Sequence, residues 1–387
     1  VSLFATRQSK TISFNNGTRA HALKSFAKKT QGRCAILHVG PHKTGTTSLQ
    51  RLLLDHSATL RSDGYATPVA GTIFGHHKGA KSAANVAMSL NCKSCTEFKS
   101  RPDQNKTLTS FELFLNATYT NNLSVVLSSE EFDRPDLDRE LLLNYFRGRW
   151  NSLVVVVNYR RLYEWCLSLY FEIHRSRSSE FDGFVDWFMR NFVDGMSVLN
   201  TLRGSIVRDR YESLLLGHER IKVMNVHFNT SMEEYFSCQV ISDASGTCSF
   251  IKQHYKAATG NPGHSLEYRR LALAAKERGF VGTAINEKEL EKKISEIYRN
   301  TITGTRDDAY ESPFWLCLGQ EDAENLFQDA LKEEIQMVPE WFDANGGKEA
   351  LREDFEKFVS KGSLCSMNTT AVLENETFVA SILSLVS

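Results

Sequence analysis

The stretch Cys34-Ala-Ile-Leu-His-Val-Gly40-Pro-His-Lys-Thr-Gly45-Thr-Thr-Ser-Leu-Gln50 decides how this chain is read. Its first six residues are an apolar run bounded by turn residues, which predicts a buried strand. From Thr46 to His56 the spacing of Leu49, Leu52 and Leu53 predicts a helix with one apolar face. Between strand and helix lies a loop with two glycines, Gly40 and Gly45, which permit a tight turn and close backbone approach. Strand, loop and helix in this order open a βαβ unit and aim backbone amides at an anion. Lys43 adds a point charge, and Thr44, Thr46, Thr47 and Ser48 add hydroxyls.

Working outward, 123–129, 153–157 and 221–226 read as further strands, and 138–145, 160–175 and 181–192 as helices. Residues 67–122, rich in Gly, Ser, Asn and Lys, read as a variable insertion of loops and short helices. Beyond residue 255 helical patterns take over, at 265–277, 287–299, 321–334 and 348–359. The expectation is an α/β fold: three P-loop-like layers, a central parallel sheet flanked by helices, and a helical C-terminal part over 255–387. Residues 31–387 are expected to form a single domain. Residues 1–30, polar and basic, read as a flexible or stem-like lead-in.

Composition narrows the partners. Lys+Arg and Asp+Glu are each 46, so the chain has no net charge and lacks the basic footprint of a nucleic-acid binder. No run of about 18 apolar residues is present to span a bilayer. The chain opens on Val1, so a signal or membrane anchor ahead of it stays open. Cys92-Lys-Ser-Cys95 is a lone CxxC without the second pair that zinc needs, and the two thiols read as a local disulfide or as free. Cys238 and Cys248 bracket a loop that a disulfide could staple. Asn-x-Ser/Thr patterns begin at Asn16, Asn105, Asn116, Asn122, Asn229, Asn368 and Asn375. Seven exceeds the roughly three or four expected by chance, which with the even cysteine count favours the secretory lumen over the cytoplasm.

The loop is not a Walker A loop. That motif is Gly-x4-Gly-Lys-Ser/Thr, whereas Gly40-x4-Gly45 is followed by Thr46-Thr47, with the lysine moved forward to position 43. Nor does the strand ending at Val157 lead into a magnesium-holding Asp; it runs into Asn158-Tyr159-Arg160. Pro41-His-Lys-Thr-Gly-Thr-Thr-Ser-Leu-Gln50 instead resembles the 5′-phosphosulfate loop of sulfotransferases that use 3′-phosphoadenosine 5′-phosphosulfate (PAPS), a family with microbial, algal and Golgi carbohydrate members, and the flanks Trp165 and Tyr170 resemble the microbial and algal ones. The resemblance implies that Lys43 contacts the transferring sulfuryl group and that Thr44, Gly45, Thr46, Thr47 and Ser48 hold the 5′-phosphate. It also implies a 3′-phosphate reader made of an Arg after a central strand and a Ser eight residues on, here Arg160 and Ser168. Arginine suits that task through its bidentate fork.

The resemblance further implies a general base after the strand 123–129. Glu130 stands there, with Glu131 as its competitor, because neighbours on a strand face opposite ways. The reaction implied is sulfuryl transfer from PAPS to a hydroxyl or amine, on a carbohydrate in the Golgi lumen, with no metal. The competing readings are a P-loop kinase or NTPase, and a non-catalytic binder of adenosine phosphates. His76-His77 in the insertion lacks the third spaced ligand of a metal site, and His77 or Lys78 reads as an exposed loop residue or as lining the acceptor pocket, as the resemblance implies for this region. Arg278 weakly matches a late basic segment of the family, and His227 reads as core or surface.

Overall fold

The computed structural model describes residues 32–69, 83–90, 104–193, 198–217, 219–228, 230–241, 243–254, 265–282, 285–302 and 309–384. The lead-in 1–30 and the candidates His76, His77, Lys78, Cys92 and Cys95 lie outside the described residues.

Strand β1 (Cys34–Val39) is buried along its whole length. Successive side chains point to opposite faces, so Ala35, Leu37 and Val39 enter one apolar core and Cys34 and Ile36 another. A strand buried on both faces belongs inside a parallel sheet covered on both sides. Helix α1 (Thr46–Asp55) follows, then β2 (Tyr65–Ala66), α2 (Gln104–Thr120), β3 (Ser124–Ser129) and β4 (Ser152–Tyr159). Helices α3 (Leu162–His174) and α4 (Gly204–Glu212) precede β5 (Arg220–Asn225). The five strands are parallel, in the order β2-β3-β1-β4-β5.

Phe111 and Leu115 of α2, with Val207 and Tyr211 of α4, pack on the face that carries Leu37, Leu127 and Val155. Leu49, Leu52 and Leu53 of α1, with Phe236 and Val240, cover the face that carries Ile36, Val126 and Val154. Helix, sheet and helix make three layers, which is the expected α/β architecture. The chain builds outward from β1 to one side through β3 and to the other through β4. The loops after these three strands therefore meet at a switch point, the usual place for a ligand in an open parallel sheet.

The C-terminal part is helical as expected: α5 (Ser265–Glu277), α6 (Glu287–Thr301), α7 (Gln320–Met337), α8 (Gly347–Ser360) and α9 (Glu376–Leu383). It also holds a small antiparallel pair, β6 (Trp315–Cys317) and β7 (Cys365–Met367), that the sequence reading omits. Three-residue strands carry too few side chains to show an alternation. A disulfide joins Cys317 to Cys365 across this pair, and a second joins Cys238 to Cys248 as anticipated. Disulfides fit a secreted or lumenal protein. Among the described residues no helix is long and apolar enough to cross a membrane. In the stretch read as an insertion of loops and short helices, α2 is a helix of 17 residues. Its apolar residues Phe111 and Leu115 sit one turn apart, a signal the surrounding polar residues mask.

Candidate active site

The β1–α1 loop is held by the arm formed of β4 and α3. Trp165 Nε1 donates to His42 O at 2.8 Å, and Asn158 Nδ2 donates to Thr44 O at 3.0 Å. Arg160 Nη1 reaches Lys43 O at 3.4 Å. Three successive carbonyls are thus turned toward the arm. In a trans peptide the following N–H points the opposite way, so the amides of Lys43, Thr44 and Gly45 face away from it. These anchors stabilise the left-handed backbone of Lys43, whose φ is 68°. Gly45, φ 84°, then caps α1. No side chain caps that helix, and its first-turn amides at Thr46, Thr47 and Ser48 have no intrahelical partner. The loop and helix start together present a row of amide donors with a positive dipole end, a setting built for an anion.

Gly40 is required by a different neighbour. A Cβ there would stand 2.5 Å from Asp133 Oδ2. Asp133 is fully buried at the end of the short 3-10 turn Glu130–Asp133 that follows β3. Its Oδ2 accepts from both His42 N, at 3.1 Å, and His42 Nδ1, at 3.0 Å. The other ring nitrogen, Nε2, stands 4.0 Å from Glu130 Oε1. Burial alone would lower the His42 pKa, but the hydrogen bond to Asp133 and the charges of Asp133, Glu130 and Glu131 raise it to about 9.

Glu130 is buried, and its Oε2 accepts from Thr46 Oγ1 at 3.1 Å. Glu131 is half-buried and lies 3.7 Å from Arg134. The strand has already ended at Ser129, so the alternation expected for these two glutamates does not apply. The 3-10 turn itself turns Glu130 to the loop. Arg160, expected eight residues before Ser168, donates to Ser168 Oγ at 3.0 Å. Its Nε also donates to Glu164 at 3.1 Å, and His227 Nε2 is 3.4 Å from the same carboxylate. Burial alone would raise the Glu164 pKa, but His227 and Arg160 hold it down to about 2. Lys43 Nζ pairs with Glu172 Oε2 at 2.9 Å, and Glu172 also binds Arg175.

The structure thus brings Lys43, Thr46, Glu130, Arg160 and Ser168 around one loop. Thr44 spends its hydroxyl on Pro41 O and Ser48 on Gly45 O, while Thr47 stays exposed. Arg278 bonds Thr370 in the C-terminal part. His42, Asp133, Asn158, Glu164, Glu172 and His227 were not singled out as site residues from sequence. Only His42 had a signal, its place inside the loop; the others act through side chains that the fold alone brings near.

The arrangement gathers groups that can receive an anion: amides and a lysine at one point, an arginine and a serine on the adjoining arm. A cation has one candidate among the described residues, His42, Glu130 and Glu131, whose donor atoms lie within 4.8 Å of one another. The same side chains also make short polar contacts with their neighbours, His42 with Asp133 at 3.0 Å and Glu130 with Thr46 at 3.1 Å. No family model matches the chain, and neither a curated protein nor a solved structure does.

Proposed function

We propose that this chain is a PAPS-dependent sulfotransferase. The observation that carries the reading is the place of Arg160. The resemblance assigns the loop and the Arg160/Ser168 pair separately, 117 residues apart. In the fold Arg160 touches the backbone of Lys43 and bonds Ser168, which supports one ligand with an anionic group at each point. A nucleotide with a 5′-phosphosulfate and a 3′-phosphate has that pair of groups. ATP lacks the second, and the loop lacks the Walker lysine.

In this reading the amides of the loop and the first turn of α1 bind the 5′-phosphate, and Lys43 leaves Glu172 to meet the sulfuryl group. The acceptor oxygen attacks sulfur while the sulfur–oxygen bond to the 5′-phosphate breaks. The acceptor proton passes to Glu130, and 3′-phosphoadenosine 5′-phosphate departs. Positioning and charge stabilisation supply the rate. The acceptor class, a carbohydrate hydroxyl or amine, rests on the disulfides and glycosylation patterns that favour a lumenal enzyme, with the Golgi as the compartment.

The test is transfer of label from PAPS to polysaccharides, peptides and small alcohols, with the Glu130→Gln variant alongside. Label on a carbohydrate, lost in the variant, is the expected result. Full turnover in Glu130→Gln would remove Glu130 as base.

A further inference from the structure

The transfer mechanism above leaves a buried polar device unused. Asp133, fully buried, receives two hydrogen bonds from His42 through one oxygen, and Gly40 has no Cβ because that oxygen occupies the space. Trp165 holds the His42 carbonyl from the other side. The ring is therefore fixed at its Nδ1 and at its backbone, and its Nε2 is presented to Glu130 Oε1 at 4.0 Å. Glu130 Oε2 is fixed in turn by Thr46. Asp133, His42 and Glu130 are thus linked in series, and Glu130 meets Thr46 at the start of α1.

We propose that His42 is a positioning residue for Glu130: locked by Asp133, it carries the positive charge that keeps the Glu130 carboxylate in place and ionised beside an anionic donor. The inference rests on the sulfotransferase reading and deepens it. The physical need is plain. A carboxylate that must accept a proton next to a phosphosulfate faces like charge, which drives it toward the protonated, useless form. Lys43 sits in the same loop but pairs with Glu172 on α3. A cation fixed on the Glu130 side offsets that repulsion without entering the phosphate cradle.

The charged surroundings of His42 agree with this role. From the turn after β3 it faces Glu130, Glu131 and Asp133, with Arg134 on the far side of Glu131. The buried Arg139 and, from α4, Arg210 both donate to the Asp133 carbonyl. From α3, Trp165 contributes a neutral donor, while Arg160 is paired with Glu164 and Glu172 with Lys43. Beneath, in β1, His38 is buried, which lowers its pKa to about 4 and leaves it neutral. Burial works against the charged ring, but the hydrogen bond to Asp133 and the charges of Asp133, Glu130 and Glu131 outweigh it and raise its pKa to about 9, so it retains its proton through neutral pH. Because the folded value is raised, the stabilisation from this proton is complete below the ordinary imidazole range and is lost as pH rises through about 9.

The experiment measures kcat against pH, from about 6 to about 10, for the wild type and for His42→Gln, which keeps an amide near the Nε2 position but carries no charge. Binding of 3′-phosphoadenosine 5′-phosphate is measured on both. The wild-type rate should fall on an alkaline limb near 9. In His42→Gln that limb should vanish, the acid limb should move up by about one pH unit, and the neutral rate should drop about 10- to 100-fold. Nucleotide affinity should stay within about threefold, because the cradle is untouched. A profile that is merely scaled down, with both limbs in place, overturns the proposal and leaves His42 a packing residue. Should the variant fail to fold, nitrogen-15 spectra of the histidine rings in the wild type decide: one ring still protonated at about pH 8 is expected, and none is the contrary result. Wild-type chain that neither binds this nucleotide nor transfers sulfate sinks the enzyme reading and the role of His42 with it. Wild type that transfers, with an unshifted variant profile, sinks the role of His42 alone.

Discussion

The parallel-sheet half of the molecule and its C-terminal helical part are held together by different means. In the first, β1, β3 and β4 are buried on both faces, and the chain is locked by cores that any substitution of a central leucine or valine would open. In the second, helices α5 to α9 surround a pair of three-residue strands, and the disulfide Cys317–Cys365 ties segments 48 residues apart. The two halves meet where Glu334 of α7 binds the Tyr159 hydroxyl and lies 3.7 Å from Arg161, next to Arg160. The comparison teaches that the sheet half holds the candidate site, and the helical half braces the arm from which Arg160 reaches the loop.

The sharpest way to break that division is in the sheet half. Glu130→Gln should lower kcat by about 10²- to 10⁴-fold while nucleotide affinity is kept. A comparable loss from a residue confined to α5, α6 or α9 would move the chemistry out of the sheet half. Next in size is the brace. Replacing Cys317 and Cys365 by serine frees a long loop and should cost about 4 kcal/mol of stability by the chain-entropy estimate. Denaturant unfolding would read the loss, and the folded variant should bind nucleotide as before. If nucleotide binding falls in parallel with stability, the helical half does more than brace. The smallest effect concerns the junction. Arg160→Ala removes a charged hydrogen-bonding partner and should weaken 3′-phosphoadenosine 5′-phosphate by about 1.5–3 kcal/mol, with little change for the analogue lacking the 3′-phosphate. Equal losses for both nucleotides would make Arg160 a support for the loop rather than a reader of the 3′-phosphate.

What could be read in advance follows the same division. Cys34–Val39 and the helix from Thr46 were legible because a buried parallel strand is a continuous apolar run and the Leu49/Leu52/Leu53 stripe is local. Arg160 and Ser168 were singled out by the family resemblance through their spacing, and that separation of eight residues is a direct hydrogen bond in the fold. Glu130 was legible only as a place in the element order. Strand alternation does not sort Glu130 from Glu131, because the strand stops at Ser129 and a 3-10 turn takes over. The Asp133–His42 contact spans 91 residues, and the Lys43–Glu172 pair spans 129. Neither leaves a local periodicity, since only the tertiary fold sets such distances. The β6–β7 pair was silent for a related reason: its evidence is a cross-strand disulfide, and eight cysteines allow 105 pairings.

The central claim, that the loop and the Arg160 arm hold a single nucleotide bearing a 3′-phosphate, is tested most directly by calorimetry. Titration of the wild-type chain with 3′-phosphoadenosine 5′-phosphate should give one site, at least about tenfold tighter than ATP with magnesium. Tighter binding of ATP with magnesium would contradict it.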